Sequence, residues 1–217
     1  MQLNIFDTNI IKPIRDSNSQ VLNSAIAIAT VSGLKYVPEF ITKEEHQQLW
    51  QAINDETWLT DLKRRVQHYG WKYDYKARSI DYSMYLGELP LWAQPFGERL
   101  FQKGHLSKVP DQLIVNEYQP GQGISNHVDC EPCFGETIIS MSLGSNCVMD
   151  LINLKTKEKI EVMLEPRSLV VISGEARHKW THGIAARKTD NFNGVKYERR
   201  LRISMTFRNV ILNTCDF

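Results

Sequence analysis

Long hydrophobic runs are missing from this sequence. The longest near the N-terminus, AIAIATVSGL, is too short to span a bilayer and lacks the charged flank and cleavage pattern of a signal peptide. Cysteine is scarce. Cys130, Cys133, Cys147 and Cys215 are four in 217 residues, too few and too irregularly spaced for a disulfide scaffold. The expectation is a reduced, cytoplasmic protein that meets no membrane. A charge excess of one sign is also missing: formal net charge is +1, so the global balance names no partner. With 42% hydrophobic residues the chain can bury one sizeable core, and two full domains would be crowded. No internal repeat is visible.

The one cysteine pattern is the C-x-x-C of Cys130 and Cys133. Zinc would need a second ligand pair at similar spacing, and a redox dithiol would normally open a helix in a βαβ unit. Neither context is present.

What is there divides the chain in two. ITKEEHQQLWQAI opens with Thr42 and Glu45 at capping-box spacing, and Leu49, Trp50 and Ile53 recur at helical intervals. PLWAQPFGERLFQKG reads as a second helix that starts after Pro90 and stops at Gly104. From residue 112 the pattern becomes short and β-rich: LIVNEY, TIISMSLGS, CVMDLINL, KIEVML, SLVVIS and LRISMTFR, separated by turn residues. Residues 1–20 are polar and irregular, an arm or edge strand. The plan is mainly β with flanking helices, two helices supporting a jelly-roll-like β unit.

Within the β-rich half stands NHVDCE, residues 126–131. In extended backbone, residues i and i+2 project to the same side, so His127 and Asp129 point together as adjacent metal ligands must. A lone H-x-D is equally a loop histidine making ordinary hydrogen bonds. A non-haem iron site needs a third ligand that leaves coordination positions open. His182 in WTHGI, after the strand SLVVIS, is the best placed of the other histidines. The last strand adds weight. In RLRISMTFR, Arg202, Ser204, Thr206 and Arg208 fall on one face, and Ile203, Met205 and Phe207 on the other. Two arginines on a core-forming strand are expensive to desolvate unless they meet anions, which a dicarboxylate cosubstrate supplies. Asn116 and Tyr118 share one side of VNEYQ and offer hydrogen bonds to the same ligand, or form the satisfied polar face of an edge strand.

NEYQPGQGISNHVD, SMSLGS, GEARHKWTHGI and RLRISMTFR, in this order, resemble the AlkB family of Fe(II)/2-oxoglutarate dioxygenases. The likeness covers roughly residues 33–210. RRVQHYGWKYDY and VMDL look most like the branch that contains the tRNA wobble-uridine hydroxylase. The resemblance implies a double-stranded β-helix (jelly roll) in one dioxygenase domain over 1–217: a 1–32 arm, a 33–110 helical and substrate-lid part, and a 111–210 β-helix core. It implies Fe(II) on His127, Asp129 and His182, and 2-oxoglutarate as cosubstrate with O2. Arg202 would take the distal carboxylate, helped by Asn116, Tyr118 and Ser204, and Arg208 would sit near the metal-bound end as a catalytic group. Ser204 stands where the founding bacterial enzyme has Asn. The implied reaction converts 2-oxoglutarate to succinate and CO2 while hydroxylating a C–H bond, and an N-methyl group so treated leaves as formaldehyde.

For the substrate, charge is the guide. Residues 177–202 carry net +6 and residues 62–78 net +5, the latter interleaved with Tyr69, Trp71, Tyr73 and Tyr75. Basic residues for phosphates with rings for stacking suit a single strand or an extruded base in DNA or RNA. The bland alternative is solvated charges and core aromatics. Trp71, Tyr73 and Glu131 are the candidate substrate contacts. Base-repair members of the resembled family place a carboxylate near the position of Glu131, which would suit a cationic methylated base; an exposed loop glutamate is the other reading. The expected activity is demethylation or hydroxylation of nucleic-acid bases, in DNA repair or RNA modification, by a monomer. A protein side chain as substrate, or a non-catalytic cupin-like binding protein, are the alternatives.

Overall fold

The structure is a computed structural model that describes residues 28–60 and 62–212. The arm expected at residues 1–20 lies outside the described residues.

Helix α1 (Lys43–Asp55) starts where its capping box sets it. The Glu45 amide donates to Thr42 Oγ1 at 3.1 Å, and the Thr42 amide donates to the Glu45 carboxylate at 2.9 Å. Helix α2 (Gln94–Gln102) begins later than the residue after Pro90, because Pro95 occupies its first turn. A proline has no N–H to give an interior turn and fits the first one. Gly104, at φ +70°, ends the segment in a backbone region that favours glycine.

Six strands form the larger antiparallel sheet: β1 (Leu34–Val37), β2 (Arg65–Tyr69), β3 (Gln112–Tyr118), β5 (Thr137–Gly144), β8 (Leu169–Ser173) and β12 (Arg202–Arg208), in the order β1-β8-β5-β12-β3-β2. The smaller sheet runs β4 (Ile124–His127), β9 (Trp180–Ile184), β6 (Cys147–Asn153), β7 (Lys159–Leu164). A hairpin, β10 (Thr189–Phe192) and β11 (Val195–Glu198), stands apart, and a short helix α3 (Gly174–His178) joins β8 to β9. Mainly β with two flanking helices is the expected plan, and the two sheets make a double-stranded β-helix.

The larger sheet is buried on both faces. Ile139, Met141 and Leu143 of β5, Leu169 and Val171 of β8, and Ile203, Met205 and Phe207 of β12 pack outward against Leu49, Ile53, Phe96 and Leu100 of the helices. The alternate residues turn inward. Ile138, Val170 and Ile172 meet Met149, Leu151, Val162 and Leu164 of the smaller sheet in a second core. Period-two alternation thus divides each central strand between a helix-packed core and a space between sheets.

The smaller sheet approaches closely at Gly183. A Cβ there would lie 2.2 Å from Asn126 Oδ1 and 2.8 Å from the Asn126 amide of β4. Gly183→Ala is expected to push β4 away from β9 and destabilise the fold by about 1–3 kcal/mol, the usual penalty of overpacking. Urea unfolding measures this, and an unchanged midpoint would show that β4 moves freely.

Candidate metal centre and adjoining cavity

In the antiparallel pair β4–β9 the register sets His127 opposite His182. His182 does not simply follow β8, as the sequence suggests; it sits inside β9, which the sequence reading missed because WTHGI is short and polar. Asp129 lies two residues beyond His127, and one ligand atom from each of the three residues falls within 4.8 Å of the others. The imidazole rings are 4.5 Å apart at a tilt of 50°.

Each ligand atom is prepared by its neighbours. The His127 Nδ1–H donates to the Ser125 carbonyl at 2.9 Å, which leaves Nε2 as the lone pair. Burial pushes His182 down to about 4, so it is neutral at pH 7 and free to bind a cation. Burial alone would raise the Asp129 carboxyl. The charge of Arg208 outweighs it and holds the group well below the usual carboxylate range. Arg208 Nη2 donates to Asp129 Oδ1 at 2.6 Å. The other oxygen, Oδ2, is buried, accepts no hydrogen bond and lies 3.3 Å from His182 Nε2. Two imidazoles and one carboxylate with an unbonded oxygen are the donor set of a non-haem iron centre, so the residues present fit Fe(II).

A cavity of about 900 Å3 adjoins these residues, at the upper end of the about 300–1,000 Å3 usual for ligand sites. Arg202, Ser204, Thr206 and Arg208 line it, as the alternation in β12 requires. Arg202 is 3% exposed, yet among the described residues its guanidinium finds one hydrogen-bond partner, from Nη2 to Ser142 Oγ at 2.8 Å. Its Nε and Nη1 have no partner among the described residues. A buried guanidinium with two idle N–H groups beside a cavity fits a carboxylate ligand. Its charge lies 5.7 Å from the centre of the Tyr118 ring. Asn116 accepts from Arg64 Nε at 2.7 Å, and Ser204 shares a hydrogen bond with Ser140 at 2.8 Å.

The sequence reading missed Arg64, Arg78, Ser142 and Arg177. Ser142 had a signal: TIISMSLGS places Ser140 and Ser142 on the inward face, an odd choice for a strand buried on both sides. Arg64 and Arg78 lie within a segment whose net charge and aromatic rings stand out in the sequence, while its individual arginines do not. Arg177 is fully buried and donates to the carbonyls of Asp129 and Cys130 at 2.9 and 3.3 Å, fixing the backbone that presents the carboxylate.

Three expectations are corrected. Glu131 does not face the cavity; it is half-exposed and accepts from His178 Nδ1 at 2.9 Å, while Glu136 holds the other ring nitrogen at 3.1 Å. Flanked by these two carboxylates, His178 is raised in pKa. Trp71 also stays out of the cavity and packs on Tyr85 with ring centres 4.7 Å apart; Tyr73 does line it. Nor are all four cysteines reduced: the turn after β4 brings the Cα atoms of Cys130 and Cys133 to 5.3 Å, and they are joined. In the basic segment 177–202, Arg177, Arg199 and Arg202 are buried and Arg187 partly so, while Lys179, Lys188, Lys196 and Arg200 are exposed. Arg199 and Arg187 both bind the buried Asp190, at 2.6 and 2.7 Å, which anchors the β10–β11 hairpin. From the 62–78 segment Lys63, Arg64 and Arg78 line the cavity, and from the 177–202 segment Arg202 does.

A profile of the 2OG-Fe(II) oxygenase superfamily matches residues 33–208. The chain is 35% identical over 182 residues to the uncharacterized protein L905 of Acanthamoeba polyphaga mimivirus, covering 83% of this chain and 86% of that protein. It is 36% identical to an "Alkylated DNA repair protein ALKBH8 homolog" of Arabidopsis thaliana, over 86% of this chain and 60% of the relative. It is also 36% identical to the Mus musculus "tRNA (carboxymethyluridine(34)-5-O)-methyltransferase ALKBH8", over 85% of this chain and 31% of the relative. Among solved structures it is similar to OsALKBH1, with a TM-score of 0.62 and 16% identity over 82% of this chain and 98% of the other, a likeness of fold.

Arg208→Met would leave the Asp129 carboxylate buried without its nearest cation. The metal-free protein is expected to lose about 3–5 kcal/mol at neutral pH. Asp129 has a depressed folded pKa, so the pair's contribution is full above the ordinary aspartate range and is lost as pH falls through the folded value. Urea unfolding with a chelator should therefore show the gap between variant and wild type closing in acid.

Proposed function

This chain belongs to the 2OG-Fe(II) oxygenase superfamily, and we propose that it oxidises a base in a nucleic acid. As a member it is a dioxygenase that uses Fe(II), 2-oxoglutarate and O2. The observation that carries the proposal is the convergence of His127, Asp129 and His182 beside a cavity into which Arg202 brings a buried, half-satisfied charge.

His127, Asp129 and His182 would hold the iron through three protein atoms and leave the remaining positions open. Arg202 would bind the distal carboxylate of 2-oxoglutarate, with Ser142 keeping its guanidinium in place. Tyr118 is buried in the same wall, and burial raises its pKa, so it presents a neutral hydroxyl. Asn116 has its carbonyl oxygen occupied by Arg64, which leaves its amide hydrogens to donate. Arg208 would act through Asp129, fixing one carboxylate oxygen so that the other meets the metal. When bound, iron and cosubstrate supply oxidative decarboxylation to succinate and CO2 together with hydroxylation of a C–H bond. Met149, Leu164 and Ile172 give the same space an apolar part of its wall.

Three features favour a nucleic acid. The cavity has room for the cosubstrate and a second planar group. Tyr73 and Tyr75 line it, with ring centres 5.0 Å apart, and can stack on an extruded or single-stranded base. Lys63, Arg64 and Arg78 stand nearby for phosphates. The plant relative is named for alkylated DNA and the mouse relative for tRNA; the methyltransferase activity in the latter name belongs to a protein of which this chain matches 31%. Among the described residues no carboxylate but Asp129 lines the cavity, which favours neutral or acidic bases over cationic ones. No helix among the described residues is long and apolar enough to cross a membrane. A monomer working in the cytoplasm is the simplest form of the proposal.

The test is incubation with iron, 2-oxoglutarate and a panel of methylated oligonucleotides, neutral and cationic, followed by mass and succinate measurement. Oxidation of neutral bases should exceed that of cationic ones. Succinate formed while every oligonucleotide stays intact would overturn the substrate reading and leave the dioxygenase standing. In the same assay His127→Ala should abolish succinate production. Arg202→Ala should raise the KM for 2-oxoglutarate by about 10- to 100-fold, as expected for losing a charged hydrogen-bond partner; an unchanged KM would mean that another cation holds the cosubstrate.

A further inference from the structure

Arg64 stands apart from the other two cations that its segment brings to the cavity. Lys63 and Arg78 are exposed, whereas Arg64 is half-buried. Its backbone is held on both sides. Gln122 Nε2 donates to the Lys63 carbonyl at 2.6 Å, and the residue after Arg64 opens β2, where Arg65 pairs with Glu117. Arg65 also grips the Glu117 carboxylate through Nε at 2.9 Å and Nη2 at 2.5 Å. Glu117 lies between Asn116 and Tyr118, which line the cavity, so it faces the other side of the sheet. With Arg65 turned that way, alternation sends Arg64 inward.

Continued by one residue, the β2–β3 register sets Arg64 beside Tyr118, and β12 sets Arg202 opposite Tyr118 on its other side. The two guanidinium carbons lie 5.8 and 5.7 Å from the centre of the Tyr118 ring. Arg64 is thus part of the wall that carries Arg202. There its Nε donates to Asn116 Oδ1 at 2.7 Å. An asparagine amide has an oxygen that accepts and a nitrogen that donates, and its partners decide which end faces which way. A guanidinium can only donate. It therefore claims the oxygen and leaves the amide hydrogens for a ligand in the cavity that Asn116 lines. Without Arg64 the amide is free to turn over and present its oxygen lone pairs to an anionic ligand, which repels them.

We infer that Arg64 is a positioning residue for 2-oxoglutarate, acting through the Asn116 amide. This role rests on the placement of the cosubstrate beside Arg202, and it holds whichever substrate is oxidised. Arg64 Nε is committed to Asn116, while the positive charge of the group still faces the cavity. The short stretch before β2 therefore serves two ends: Lys63 stays exposed at the cavity edge, and Arg64 sets the orientation of a cosubstrate donor.

Equilibrium binding tests this without turnover. The full chain is loaded with Fe(II) under exclusion of oxygen and titrated with 2-oxoglutarate in a calorimeter. Arg64→Met should weaken binding by about 3- to 10-fold, the range for losing one hydrogen bond. Arg64→Lys keeps a cationic donor and should recover most of that loss. Asn116→Ala should weaken binding too, and adding Arg64→Met to it should cost less than about twofold more, because residues that act through one another are not additive. Wild-type affinity in Arg64→Met would overturn the role. So would an equal loss with and without Asn116, which marks a general effect of charge, or a loss that follows the urea midpoint of the variants. Arg202→Ala separates the two levels. If it alone loses affinity, the Arg64 role falls and the cosubstrate placement stands; if neither variant does, the placement falls with it.

Discussion

A guanidinium in a protein interior needs an anion, and β12 carries two of them on one face. All seven of its residues are buried, with Ile203, Met205 and Phe207 committed to the core under the helices. Arg202 and Arg208 therefore cannot reach solvent by rotating the strand. Arg208 is neutralised from within by Asp129, and this fixes where the carboxylate sits and keeps it ionised. Among the described residues Arg202 meets no anion and is bonded to a serine hydroxyl. A strand built this way is stable only beside a polar space that can admit a negatively charged guest. The cavity, the position of the ligand carboxylate and the fit to a dicarboxylate all descend from that single alternation.

Parts of the protein governed by periodicity were legible in the sequence. Alternation in RLRISMTFR assigned both faces of β12 correctly, and the Thr42–Glu45 spacing located the start of α1. His127, Asp129 and His182 converge as expected, although the reason is the β4–β9 register and not an adjacency to β8. Short polar strands such as ISNH and WTHGI were not legible, because hydrophobic alternation has too few residues there to register. The direction of Glu131 was also out of reach. Its neighbour in space, His178, lies 47 residues away, and a period-two argument fails once the chain leaves the strand for a turn.

Charge density proved a weaker guide than charge placement. The segment 177–202 is as basic as an interface, but Arg177, Arg187, Arg199 and Arg202 are directed at carbonyls, at Asp190 and at the cavity. The run at 62–78, of similar net charge, brings Lys63, Arg64 and Arg78 to the cavity. What distinguishes them is whether the fold supplies a partner for each cation, which no count of lysines and arginines reveals.

The strand β4 has an uneven status in its sheet. It lies at the edge, its pairing with β9 is interrupted between Ile124 and His127, and it ends on a proposed ligand. A metal held by His127, Asp129 and His182 would bridge this edge strand, the loop after it and its neighbour β9. The ion would then act as a rivet for the weakest seam in the smaller sheet, in addition to any role in chemistry. By mass action, whatever binds the assembled form alone stabilises it in proportion to the logarithm of its free concentration. The order of this seam would become a readout of metal supply, with the edge loosening before the central strands of either sheet.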